Sequence, residues 1–140
     1  MRDIANNINP KPAFYPVPAV TTNVVQTSTI LDTYGYGSAM LGLITGTLSG
    51  AGTFSVALSE SNDSGMAGSN VVAATDMTGT PALASFDFSA VNVCRKIGYI
   101  GGKRFIQATI TPAGNTGSLF VAGVWILGKP VHAPTANPPN

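Results

Sequence analysis

The chain has 140 residues, of which 44% are hydrophobic and only 9% are Asp, Glu, Lys or Arg, with a net charge of +1. This length indicates a single domain, and the ordinary hydrophobic content argues against a disordered middle. Typical soluble domains are about 25% charged. So few charges are better tolerated where neighbouring subunits cover the surface, and four clustered cations at 95, 96, 103 and 104 are too few for direct nucleic-acid binding.

Residues 1–19 are predicted to form an extended N-terminal arm. Proline fixes φ and removes a backbone donor, so this segment cannot form a helix or a central strand. Phe14, Tyr15 and Val17 are apolar side chains that a solvated tail would not need. We therefore expect them to contact a neighbouring subunit. The prolines of this arm are Pro10, Pro12, Pro16 and Pro18.

Residues 20–128 are predicted to form a single all-β domain, either a β-sandwich or a jelly-roll-like barrel of six to eight strands. The clearest strand is 53–59, where Phe54, Val56 and Leu58 alternate with small or polar residues. Residues 38–48 are apolar on both faces of the predicted strand. Further strands are expected at 24–31, 93–100, 103–111 and 119–127, and no segment shows a helical period.

Gly101 and Gly102 are predicted to form a two-residue hairpin turn between the strands at 93–100 and 103–111. Its tip, Gly101-Gly102-Lys103-Arg104, is a candidate contact site. Trp125 is a further candidate, although core packing is the more ordinary place for a lone tryptophan. Residues 129–140 are again proline-rich and are predicted to form an extended C-terminal tail in which His132 contacts a partner.

The sequence offers little catalytic chemistry. The single histidine lies in the tail, the single glutamate is Glu60, and the aspartates are scattered. Cys94 has no base nearby, so it is interpreted as a small core or interface residue. We therefore predict no enzyme activity, no cofactor and no metal site. One cysteine also excludes an intramolecular disulfide, and neither a signal peptide nor a membrane span is expected.

The segment 97–106, Ile-Gly-Tyr-Ile-Gly-Gly-Lys-Arg-Phe-Ile, resembles small virion proteins of tailed bacteriophages that are encoded beside the major capsid gene. The opening Met1-Arg2-Asp3, the segments 49–54 and 58–61, and the closing Gly128-Lys129-Pro130 are similar as well. The proline-rich arm and residues 66–90 depart from this pattern.

The resemblance implies a capsid decoration protein that binds the outer surface of the major capsid protein lattice and stabilises the head. It further implies a homotrimer on the virion surface, made in the cytoplasm of the bacterial host. The arms would then reach across capsid subunits and add a strand to a neighbouring sheet edge.

Two alternatives remain open at this point. The chain could be a head-completion, tail-tube or fibre-base component of the virion, which copy number would distinguish from a decoration protein. It could instead be a carbohydrate-binding adhesion module, for which Tyr34 and Tyr36 near Asp32 are the only suitable aromatic group.

Overall fold

The computed structural model describes residues 3–16 and 19–139 and shows a sandwich of two antiparallel sheets. Its strands are β1 (Ile8–Phe14), β2 (Gln26–Thr27), β3 (Leu31–Asp32), β4 (Tyr36–Leu48), β5 (Thr53–Ser61), β6 (Asn70–Val71), β7 (Met77–Thr78), β8 (Phe86–Asp87), β9 (Cys94–Tyr99), β10 (Phe105–Ala113) and β11 (Leu119–Pro130). The predicted all-β sandwich is confirmed. Its described part has eleven strands, and five of them are only two residues long.

The first sheet has the strand order β1-β11-β4-β9-β7, and the second runs β2-β10-β5-β6. Two short strands lie off the second path, with β3 paired to β10 and β8 paired to β5. The three connections that join consecutive long strands, β4 to β5, β9 to β10 and β10 to β11, each cross from one sheet to the other. Each crossing brings a strand's apolar side against the opposite sheet.

The core lies between the two sheets and is built from alternate residues of the long strands. Leu41, Leu43 and Trp125 face inward from the first sheet, and Val56 and Ile106 face inward from the second. Each is at most 2% exposed. Strand alternation in the sequence predicted this inward set correctly for residues 53–59 and 103–111.

The sandwich includes one short helix, α1 (Pro81–Ala84), which the sequence did not predict. The Oγ1 of Thr80 accepts a hydrogen bond from the Leu83 backbone N–H, and proline stands at the first helical position. Both features favour a helix start. A single turn of helix is too short to produce a 3.6-residue hydrophobic period, so the pattern could not reveal it.

The N-terminal segment differs from the expected separate arm. Residues 8–14 form β1, which pairs with β11 at the edge of the first sheet. Phe14 is 8% exposed and packs over Gly123, where a Cβ would lie 2.7 Å from the Phe14 ring. Residues 8–14 are extended, but they complete the chain's own sandwich, because Ala13 and Phe14 pack into this chain's core.

The free edge of β1 cannot add a strand in the ordinary way. The carbonyl of Pro12 faces this edge, because it accepts a hydrogen bond from Thr29 Oγ1 at 2.5 Å. The Pro10 carbonyl faces the same edge, because backbone carbonyls two residues apart on a strand point the same way. Neither proline has an N–H to donate. Ile8 presents its carbonyl there too, to Thr135 Oγ1 at 2.6 Å. This edge is blunted against strand addition.

The C-terminal tail also lies on its own chain. Besides its bond to Ile8, Thr135 donates its backbone N–H to the Asn6 carbonyl at 3.0 Å. Residues 5–7 form a turn of 3-10 helix just before β1. The two ends of the described chain are therefore tied together, rather than extending apart as two independent arms.

Candidate interaction surface

The glycine pair at 101–102 does not form the predicted hairpin. β9 belongs to the first sheet and β10 to the second, so residues 100–104 connect two sheets. Neither glycine has a positive φ, which a two-residue hairpin of the predicted type requires at both positions. Tyr99 pairs with Ala39 and Met77, both in the first sheet.

Tyr99 holds this crossing in place. Its hydroxyl donates to Glu60 Oε2 at 2.7 Å and accepts the Lys103 backbone N–H at 2.8 Å. Burial, aided by the hydrogen bond to Glu60, raises the pKa of Tyr99, so the phenol stays protonated and keeps donating. A Cβ at Gly101 would lie 2.6 Å from the Tyr99 hydroxyl. Gly101 is therefore required for this packing.

Arg104 is exposed but already engaged within the chain. Its Nε and Nη2 donate to the two Asp32 oxygens at 2.8 and 2.7 Å. The guanidinium carbon lies 4.8 Å from the Tyr34 ring centroid and 5.0 Å from that of Phe105. The Arg104 hydrogen bonds lower the pKa of Asp32 below its usual range. This ion pair organises the corner where residues 31–34 meet β10.

The predicted contact residues are not brought together at one site. Trp125 is fully buried and donates its Nε1–H to the Thr29 carbonyl at 3.2 Å, so its role as a surface contact is corrected to core packing. Phe14 is also core, whereas Tyr15 is 58% exposed. His132, Gly102, Lys103 and Arg104 are exposed and Gly101 is half-buried, while Val17 lies outside the described residues.

A different surface emerges on the outer side of the first sheet. On each strand of the first sheet every second side chain points outward, and the strand register aligns these side chains into rows that cross the sheet. Successive outward rows read Pro10-Ile126-Met40-Gly98-Thr78, then Pro12-Val124-Gly42-Lys96, then Ala122-Ile44-Cys94 across the sheet. We call this surface the apolar face, and define it as Ile8, Pro10, Pro12, Met40, Gly42, Ile44, Thr78, Cys94, Lys96, Gly98, Ala122, Val124 and Ile126.

The apolar face is flat and almost uncharged. Lys96 is the one charged residue in the set. Five strands about 4.8 Å apart, with outward rows about 7 Å apart, give an area of roughly 400 Å². The largest apolar patch on a typical soluble monomer is about 300–600 Å² and is often functional, so the size of this face is compatible with an interaction site. Val124 packs over Gly42. A Cβ added to Gly42 would lie 3.5 Å from the Val124 Cγ1, and its absence keeps this part of the surface smooth.

One end of the apolar face carries a shallow cleft of about 450 Å³. It lies against α1, whose Leu83 is 64% exposed, and is also lined by Met40, Cys94 and Lys96. Cys94 is exposed here, so of its two interpretations, core or interface residue, the structure excludes the core. Arg95 lines the cleft as well, and an apolar lining beside two cations suits an aliphatic side chain with a carboxylate nearby.

The outer side of the second sheet has the opposite character. Its outward residues on β5 and β10 are mainly small and hydroxylated or amidic, and they include Ser55, Ser59, Gln107, Thr109 and Thr111. Such side chains are well solvated, whereas those of the apolar face are not. The molecule thus has one hydrated side and one side suited to contact.

The sequence already carried a signal for the apolar face. Residues 38–48 were apolar on both sides of the predicted strand, which is unusual for a sheet with one solvated side. The sequence does not reveal the order of strands in a sheet, so Ile126 and Pro10 could not be placed beside Met40. Within the described residues no helix could span a membrane, and no group of His, Cys, Asp or Glu could hold a metal ion.

No protein family and no curated protein sequence matches the chain. Among solved structures, the PBSX exported protein XepA is similar at 14% identity and a TM-score of 0.52, covering 91% of this chain. The chain spans 39% of XepA's length. The CBM22-1-GH10 modules of Clostridium thermocellum Xyn10B match at 15% identity and a TM-score of 0.45, over 95% of this chain and 28% of theirs. At these identities the similarity to XepA establishes a shared sandwich fold.

Proposed function

We propose that this chain is a structural protein of a tailed-bacteriophage virion, and specifically a capsid decoration protein. The apolar face would lie on the outer surface of the major capsid protein lattice, with the second sheet toward solvent. The single observation that carries this proposal is the contrast between the two outer sheet surfaces. A free monomer gains nothing from a flat, nearly uncharged face, whereas an assembled subunit buries it.

Burial of the apolar face supplies the attachment energy in this proposal. An area of roughly 400 Å² at about 25 cal/mol per Å² corresponds to about 10 kcal/mol before the costs of association. Those costs are themselves several kcal/mol or more, so one subunit binds with modest affinity. The face is smaller than the roughly 800 Å² per partner of a standard interface. Neighbouring segments, including the exposed Tyr15, would contribute the remaining contact.

A homotrimer would raise retention on the shell. Three linked apolar faces bind one lattice with a high effective concentration, so avidity exceeds the affinity of one face. Bridging of several capsid subunits would resist their separation and thereby stabilise the head. In this proposal the protein is made in the host cytoplasm and resides on the capsid surface.

Two further observations support the phage assignment. The segment 97–106 resembles virion proteins of tailed phages, and the structure gives that segment a definite role as a crossing locked by Tyr99 and Gly101. The fold is also that of XepA, an exported protein of phage PBSX. The low content of charged residues is consistent with a subunit whose surface is partly covered in an assembly.

The proposal is tested by incubating the purified protein with capsids of the major capsid protein encoded beside it. We expect saturable co-sedimentation in many copies per particle and a higher temperature of capsid disruption. Incorporation of only a few copies per particle would instead favour a head-completion, tail-tube or fibre-base component. No association with capsids or virions would contradict a structural virion role.

A further inference from the structure

A second cleft, on the opposite edge of the sandwich, has features that assembly does not explain. It is about 450 Å³ in volume and lies between the edge strand β1 and residues 29–34. This volume falls within the range of roughly 300–1,000 Å³ for small-molecule sites. Its lining combines apolar residues such as Leu127 with the polar side chains Asn9, Lys11, Asp32 and Tyr36.

An exposed aromatic ring lines this cleft. Tyr34 lines the cleft and is 76% exposed, which is unusual for a ring that the chain itself orients. Arg104 holds the ring through its contact at 4.8 Å, and Asp32 Oδ1 accepts the Tyr34 backbone N–H at 2.9 Å. The ring is thus pre-organised for a ligand, which reduces the entropy lost on binding.

Hydrogen-bonding groups and one cation complete the cleft. Asn9 is 7% exposed, and its Nδ2 donates to the Tyr36 hydroxyl at 2.6 Å. The Asn9 Oδ1 has no hydrogen-bond partner among residues 3–16 and 19–139. Because Arg104 neutralises Asp32, the ammonium group of Lys11 gives the cleft a net positive charge.

We propose that this cleft binds a saccharide with an acidic substituent, such as a uronic acid. The face of an aromatic ring carries partial negative charge, so Tyr34 attracts the polarised C–H groups of a sugar ring. Sugar hydroxyls both donate and accept, which matches the carboxylate of Asp32 and the amide and phenol of Asn9 and Tyr36. Lys11 pairs with the acidic substituent.

An extended peptide is the less suitable ligand for the same cleft. Peptides bound at a sheet edge gain affinity from main-chain hydrogen bonds to that edge. The edge of β1 offers no donors at Pro10 and Pro12, and Thr29 already occupies the Pro12 carbonyl. The saccharide proposal concerns the isolated protein and does not depend on a virion role.

The test is a titration of the ¹⁵N-labelled protein with trigalacturonate and with cellotriose, followed by amide chemical shifts. We expect trigalacturonate to bind more tightly and to shift the amides of residues 29–36. Tyr34→Ala should weaken this binding about tenfold, since the ring supplies most of the stacking surface. Tyr15→Ala is the matched control, because it removes an exposed tyrosine that does not line this cleft.

A second variant tests the charge. Lys11→Gln should abolish the preference for trigalacturonate over cellotriose while leaving the cellotriose shifts in place. The proposal is overturned if neither trisaccharide shifts residues 29–36, or if Tyr34→Ala binds as tightly as the parent protein. Failure here would leave capsid binding through the apolar face unaffected, since Tyr34 and Lys11 do not belong to that face and the two surfaces share only Pro12 at their border.

Discussion

Ile44 offers the most direct mutational probe of the apolar face. It lies on β4 between Ala122 of β11 and Cys94 of β9, and it is 56% exposed. We expect Ile44→Ser to weaken attachment to capsids. Val71→Ser is the matched control, because Val71 is also β-branched and exposed on a strand but belongs to the second sheet.

The expected magnitude follows from the exposed fraction. Complete burial of an isoleucine side chain is worth about 1.5–3 kcal/mol. Ile44 has 56% of its surface left to bury, which scales to about 0.8–1.7 kcal/mol, or roughly a four- to sixteenfold increase in Kd at about 1.4 kcal/mol per tenfold. The Val71 change should leave the Kd unaltered, since the second sheet faces solvent in the proposed arrangement.

The assay is co-sedimentation with capsids over a concentration series, with thermal unfolding of each variant measured in parallel. Both variants remove an exposed side chain and should change the stability of the monomer by a similar, small amount. Equal Kd values for Ile44→Ser and the parent protein, with both fully folded, would refute the reasoning. A weakening by Val71→Ser as large as that by Ile44→Ser would refute it too.

Three further predictions concern the sandwich itself. Gly101→Ala should lower the free energy of unfolding by about 1–3 kcal/mol through overpacking, whereas Gly102→Ala, which meets open space, should change it by less than about 0.5 kcal/mol; chemical denaturation measures both. The pKa of Asp32 should lie below the usual aspartate range by carboxyl NMR and move back toward it in Arg104→Gln. Because the folded-state pKa is lowered, the stabilisation is complete only above about pH 5 and is lost progressively as the pH falls toward the folded-state pKa. Deletion of residues 1–19 should destabilise the domain by several kcal/mol in thermal unfolding, because it removes an edge strand and a buried ring. An unchanged melting temperature would instead support the prediction that this segment is a separate arm.

Local patterns were sufficient to predict the long strands. The alternation of Phe54, Val56 and Leu58 identified β5 and its inward face, and the corresponding alternation identified β10. The short strand β7 lies in a segment interpreted as turn-rich and left no detectable pattern, because two residues cannot show a period. Its pairing depends on β9, which is distant in the sequence.

The connection at 101–102 shows what the alternation of apolar and polar residues does not determine. Alternation predicts which side chains point inward, but it does not say which of the two sheets a strand joins. Here the Tyr99 hydroxyl reaches Glu60 in the second sheet, and this long-range contact directs the chain across the sandwich. Gly101 is needed for close packing against Tyr99 rather than for a left-handed turn.

The candidate surface depended on the same missing information. The two-sided apolar character of residues 38–48 indicated that β4 is covered on both sides, but it did not identify its neighbours. Pairing of β11 with both β1 and β4 joins Pro10, Ile126 and Met40 into one surface. The aromatic candidates Phe14 and Trp125 were assigned to contacts, although their size favours the core of their own sandwich.

A whole-particle reconstruction that resolves side chains is the most direct test of the account. We predict that the first sheet faces the capsid shell, with Ile44, Val124 and Ile126 against the major capsid protein and the hydroxylated side of β5 and β10 toward solvent. A particle in which these three side chains face solvent, or from which the protein is missing, would contradict it.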